Sequence, residues 1–225
     1  MKLGTMFQIF PLCFLSLLVL NTQPLLADEP EPAVVDMQGN PLLPGVQYYV
    51  RPVSAEKGGL ALGHTRNKTC PLDIILDPSS IIGSPTVFHT SSSSDVGYIP
   101  ISTDLTVEMP ILGSPCKEPK VWRLAKVGSD FWFVSTQGVP GNLVSKFKIV
   151  RFEERDNHAN EGEIYSFSFC PSVYGVICAP VGIYVDDDGT QVMAVGAGVG
   201  KPYHVRFQKV SSAYLELKNQ DFSGV

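Results

Sequence analysis

Residues 164–169 read IYSFSF, and the alternation inside this run decides the fold class. Successive side chains of an extended chain point to opposite faces, so Tyr165, Phe167 and Phe169 share one face while Ser166 and Ser168 take the other. The run is a half-buried strand, and the same signal repeats in both directions from it. Toward the C-terminus come VGIYV (181–185), QVMAV (191–195) and YHVRF (203–207). Toward the N-terminus come KFKIVRF (146–152), FWFVS (131–135), VWRL (121–124), LTVEM (105–109), LDIIL (72–76) and VQYYVRPV (46–53), with turn residues between them. No segment holds a three-to-four-residue apolar period between a cap and a stop. The 20 glycines and 18 prolines are spread along the chain and do not collect in a linker, which predicts a single all-β domain. Short strands at close spacing suit a barrel or a sandwich, and periodicity does not separate the two.

Residues 1–27 carry one early lysine, no acidic residue, an apolar centre from Ile9 to Leu20 and a small residue at Ala27, the pattern of a secretory signal peptide. The apolar centre falls short of the roughly 20 residues of a membrane span, so the expected mature protein begins near Asp28 and is soluble. Loss of Lys2 with the leader takes the formal net charge from -5 to -6. An acidic chain without a basic block offers nucleic acid no electrostatic footprint. Cys13 also leaves with the leader, and the four remaining cysteines, Cys70, Cys116, Cys170 and Cys178, predict two disulfides on an export route. Sequence alone leaves all three connectivities open.

Several motifs resolve into their plainer readings. GAGVGKP (196–202) has Val195 where a phosphate loop needs glycine and Pro202 where it needs a magnesium-binding hydroxyl, so it reads as an ordinary loop. DDDG (186–189) has adjacent aspartates, whereas a calcium loop spaces its ligands, and it reads as a hairpin turn. His64, His89, His158 and His204 are far apart with no second ligand at metal spacing, and neither HExxH nor GxSxG occurs. No enzyme, cofactor or metal is therefore expected. Asn67-Lys68-Thr69 is a glycosylation sequon ahead of Cys70. Ser211 to Val225 is expected to be a loosely held tail. HTSSSSDVGYIP (89–100) is a polar stretch between two strand signals, and its small residues mark a loop.

The run VVDMQGNPLLPGVQYYV (34–50), with Asp36, Gly39, Leu42, Tyr48 and Val50, resembles the opening signature of the plant Kunitz family of soybean trypsin inhibitor type, which has miraculin-like members. The resemblance continues in order through GGLALG (58–63), CPLDII from Cys70, STDLTVEM (102–109), VWRL (121), FCPS (169), VGIYVDDDG (181) and VRFQK (205). It implies a β-trefoil of twelve strands, a six-stranded barrel capped by three hairpins, although no internal repeat is visible in the sequence. It also implies bridges from the first cysteine to the second and the third to the fourth, at separations of 46 and 8.

The function the resemblance implies is endopeptidase inhibition by an exposed loop that enters the protease cleft as a substrate would, which here is His89 to Ile99. Such a loop needs no catalytic group; held in its bound shape beforehand, it loses little entropy on docking. Counting from Cys70 puts the specificity position at Ser94, and counting back from LTVEM puts it at Asp95, with Val96 beside it. Neither is basic, and no Lys or Arg lies between Lys68 and Lys117. An aspartate would meet a like charge in a trypsin pocket, so trypsin is not the expected target. Pro44 stands where some family members place an asparagine that braces the loop. Ser94 suits the small pocket of an elastase- or subtilisin-type serine protease; cysteine and aspartic proteases, engaged through another loop, are further candidates. The alternative is a non-inhibitory binding, taste-modifying or storage protein on the same fold. The expected product is a monomer, secreted to the extracellular space or routed to the vacuole.

Overall fold

The computed structural model describes residues 31–54, 58–90, 96–111, 116–117, 119–152, 162–173, 175 and 178–211. The expected signal peptide (1–27), Ser94 and Asp95, and all of the expected tail except Ser211 lie outside them. Of two compact units, Met1–Glu31 and Pro32–Val225, the second carries every described strand.

The strands are β1 (Gln47–Pro52), β2 (Gly59–Gly63), β3 (Asp73–Asp77), β4 (Pro85–Thr90), β5 (Leu105–Glu108), β6 (Arg123–Lys126) and β7 (Phe131–Ser135). After a 3-10 turn, η1 (Leu143–Ser145), come β8 (Lys148–Phe152), β9 (Ile164–Phe169), the two-residue β10 (Ala179–Pro180), β11 (Gly182–Val185), β12 (Gln191–Gly196) and β13 (Val205–Lys209). Six strands form a closed ring. β1 pairs with β4, β4 with β5, β8 with β9, β9 with β13 and β13 with β1, all antiparallel. A bridge from Leu105 to Phe147, just ahead of β8, closes the circuit. Closure removes the exposed edges an open sheet would leave.

Three hairpins, β2–β3, β6–β7 and β11–β12, cap the ring and pair with one another through β3, β7 and β12. The order barrel strand, hairpin, barrel strand occurs three times, in β1–β4, β5–β8 and β9–β13. This is the β-trefoil that the resemblance implied, and the threefold repeat hidden in the sequence is plain in the pairing.

The ring encloses the alternate residues of its strands. Tyr48 and Val50 of β1, Phe88 of β4, Leu105 and Val107 of β5, Ile149 of β8, Tyr165 and Phe167 of β9, and Val205 and Phe207 of β13 are all buried. Phe88 meets Phe207 edge-on at 5.4 Å between centroids, and Trp122 meets Phe167 at 5.2 Å, arrangements that suit the aromatic quadrupole. Burial of each such side chain stabilises the fold by about 1.5–3 kcal/mol.

The cap also contains a polar knot. Asp73 is buried and accepts hydrogen bonds from the Thr65 and Ser135 hydroxyls and, at 3.0 Å, from the Arg66 guanidinium, which lies over the Phe133 ring. A carboxylate so deep in a protein persists because its oxygens are partnered. Two disulfides, Cys70–Cys116 and Cys170–Cys178, complete the framework. DDDG is the β11–β12 turn, with the Asp186 N–H donating to the Thr190 carbonyl (2.9 Å), and GAGVGKP is the loop that leaves β12.

Candidate functional site

The serine run joins β4 to β5. Its first flank is regular: β4 and β5 pair in register from Val87–Glu108 to Thr90–Leu105, ending where the loop begins. His89 and Glu108 approach each other across this ladder at 3.8 Å, both exposed.

The second flank is irregular backbone gripped by the N-terminal segment. The Ile99 N–H donates to the Leu42 carbonyl and the Val34 N–H to the Ile99 carbonyl, both at 2.8 Å, while Ala33 bridges Pro100. The Ile101 N–H donates to Pro32, and the Ser102 N–H to Ile149 in β8. Ile99 and Leu42 are wholly buried, so these bonds are shielded from competing water. Val96, the neighbour of the expected specificity position, is half-buried. Ser102 turns the chain through the left-handed region (φ 59°), and the Thr103 hydroxyl donates to the Pro100 carbonyl.

The brace is itself shaped by Asp36. Its nearly buried carboxylate accepts from the Gln38 and Asn40 N–H groups, both at 2.9 Å, and folds residues 36–40 into a tight turn that sends Leu42 back along Val34. The Tyr165 hydroxyl accepts from the Val35 N–H at 3.0 Å and donates to Glu163, which ties the brace to β9. Burial raises the Tyr165 pKa above the usual tyrosine value, and the hydrogen bond to Glu163 adds to the rise. Pro44 is exposed in the turn ahead of β1, and the next residue, Gly45, donates its N–H to the Phe88 carbonyl at 3.0 Å.

Just past the second flank, Asp104 accepts from the Ser172 backbone at 3.1 Å and faces Lys146 at 3.3 Å and Lys148 at 3.8 Å. This cluster fixes the start of β5 against the segment that follows Cys170. Sequence reasoning missed both the brace and the Asp104 cluster. Asp36 was legible as part of the opening signature, but its carboxylate's role in turning the brace was not. Asn67 is exposed in a turn with left-handed backbone (φ 56°), open to a glycan. Among the described residues no group of three or more His, Cys, Asp or Glu side chains is placed to hold a metal.

A closed six-stranded barrel and three mutually paired hairpins, with the β4–β5 connection held at one base by an N-terminal strap, define a β-trefoil. The legume-type Kunitz family, described as trypsin and protease inhibitor, matches residues 34–209, and the chain belongs to it. Members of that family inhibit proteases and are not enzymes. The chain is 35% identical to the 21 kDa seed protein of Theobroma cacao, over 83% of this chain and 85% of that one. It is 36% identical to Kunitz trypsin inhibitor 5 of Arabidopsis thaliana, over 68% and 76%, and 31% identical to miraculin of Synsepalum dulcificum, over 86% and 91%. The solved trypsin inhibitor from soybean superposes with a TM-score of 0.63 at 25% identity, covering 80% of this chain and all of that one.

Proposed function

We propose that this protein is a secreted Kunitz-type inhibitor whose β4–β5 loop, residues 91–99 because His89 and Thr90 belong to β4, enters the active site of a serine protease other than trypsin. The observation that carries the reading is the strap on Ile99. A substrate-like loop inhibits when its ordering is complete before docking, and two short backbone bonds to a buried anchor restrain the chain at Ile99, four to five residues after the expected specificity position. Ser94 or Asp95 occupies that position. A small hydroxyl suits a shallow pocket of elastase or subtilisin type, while an aspartate repels the carboxylate at the base of a trypsin pocket. With Asp95 in that position Val96 is the neighbour across the scissile bond, and with Ser94 that neighbour is Asp95. In this reading the leader ends at Ala27, Asn67 carries a glycan, and the product acts as a monomer outside the cell or in the vacuole.

Supplying the missing charge tests the site. Ser94→Arg and Asp95→Arg are each assayed against trypsin; one of them should convert the protein from a non-inhibitor into an inhibitor that competes with substrate. If both remain inert while their melting temperatures match the parent, the loop is not the reactive site. N-terminal sequencing of the secreted product should start near Asp28, and peptide N-glycosidase should lower its mass.

A second reading, a non-inhibitory seed or binding protein, draws on the seed protein and miraculin among the relatives and on Pro44, which has no side-chain amide to offer the loop. Under it the serine run is cut by subtilisin as readily as any exposed loop.

A further inference from the structure

We propose that a cleft on the hairpin side of the trefoil binds a small amphipathic anion, an apolar body ending in a carboxylate. The cleft has a volume of about 610 Å³ and is lined by Leu124, Trp132, Val144, Phe169 and Val195, with Lys126 as its only ionisable residue. That volume lies within the range of small-molecule sites, which are mainly apolar with a few polar groups that orient the ligand. The lining residues come from β6, β7, β9, β10, β12 and η1, and none comes from the β4–β5 loop or from its strap. The inference is therefore independent of the inhibitor reading.

The walls are fixed. Lys126 and Val195 both pair in register with Trp132, so the lysine and the indole stand on adjacent strands. Gly196 has a φ of 118°, and a Cβ there would lie 2.2 Å from the Asp130 carbonyl oxygen, so this part of the wall admits only glycine. On the rim, Asn142 caps η1 by accepting from the Val144 N–H, and the buried Ser145 hydroxyl accepts from the Val139 N–H. This ordered turn holds Val139, Leu143 and Val144 exposed, where they extend the apolar surface beyond the cleft. The turn is helical, so it cannot present the extended backbone that a protease cleft requires.

Charge decides the class of ligand. Lys146 and Lys148 both face Asp104, whereas Lys126 has no ion-pair partner among the described residues. An ammonium at the edge of an apolar cleft recognises a carboxylate there and rejects a cation.

The test uses the mature protein and dodecanoate below its micellar concentration, with dodecanol and dodecyltrimethylammonium as matched neutral and cationic probes. Trp132 borders the cleft while Trp122 is wholly buried, so tryptophan fluorescence reports binding, and Trp132→Phe should abolish the signal. Dodecanoate should bind saturably and the cation should not. Lys126→Gln, a change at an exposed side chain, should weaken dodecanoate by about tenfold and leave dodecanol unchanged. The absence of saturable binding, equal binding of the cation, or indifference to Lys126→Gln in calorimetry would overturn the proposal.

Discussion

The two flanks of the serine run are held by different means. The first is part of the barrel: β4 lies between β1 and β5, and its ladder would exist whatever the loop did. The second belongs to no strand and stays in place because Val34 and Leu42 reach across from another part of the chain. Regular pairing needs only compatible strands, whereas the strap depends on a few particular groups: a buried leucine, a carboxylate that makes the turn and a tyrosine hydroxyl. Damage to the second flank should therefore cost stability and loop order together, while damage to the surface of the first should cost little of either.

Leu42→Ala is expected to have the largest effect. It opens a cavity under a wholly buried side chain and should destabilise the fold by about 2–5 kcal/mol, read as a lower denaturation midpoint. Limited proteolysis should then cut between residues 91 and 98 sooner than in the parent. Asp36→Ala comes next, at about 1–3 kcal/mol, because the Gln38 and Asn40 N–H groups lose their acceptor.

Tyr165→Phe should cost about 1 kcal/mol at neutral pH, since the Val35 N–H is left without an acceptor. It should also change the alkaline limb of the stability curve. The folded-state pKa of Tyr165 is raised, so the native protein holds that proton more tightly than the unfolded chain. The resulting stabilisation is complete below about pH 10 and is lost as pH rises through the folded value. The phenylalanine variant should therefore lose less stability above pH 10 than the parent. Glu108→Gln should have the smallest effect, within about 0.5 kcal/mol, because its 3.8 Å approach to His89 is solvent-exposed. If Glu108→Gln proved as damaging as Asp36→Ala, the contrast between the flanks would fail.

Much of the strand framework was legible in the residues, for a physical reason. IYSFSF coincides with β9, where alternation is strong because Tyr165 and Phe167 are buried on one face, and FWFVS coincides with β7, where a continuous apolar run carries the signal. VWRL was legible as a strand but displaced: β6 begins only at Arg123, and Val121 instead bridges back to Glu108. GLALG gave no strand signal by composition. Its glycines are there because a Cβ on Gly59 would lie 2.4 Å from the Gly83 backbone, a close approach that no local pattern announces. The threefold repeat is equally silent. The last barrel strands of the three repeats bury Phe88, Ile149 and Phe207, and a core asks for apolar volume at those places, not for the same residue. The candidate site was legible as a loop and, through the resemblance, as a position. Its strap was not, because it is made by backbone groups far apart in the chain. Pro44 pointed to a missing side-chain brace, while the main-chain bonds at Leu42 and Gly45 carried no signature of their own.

The central claim, that the β4–β5 loop is an inhibitory surface, is tested most directly by one measurement. Inhibition constants of the mature protein are taken against elastase, subtilisin, chymotrypsin and trypsin, with the mass of the 91–99 segment followed in each mixture. Tight inhibition of an elastase- or subtilisin-type enzyme, with the segment intact or in equilibrium with a single cut beside Ser94 or Asp95, is the predicted result. Rapid and complete cleavage of the segment, with no inhibition of any of the four, would contradict it.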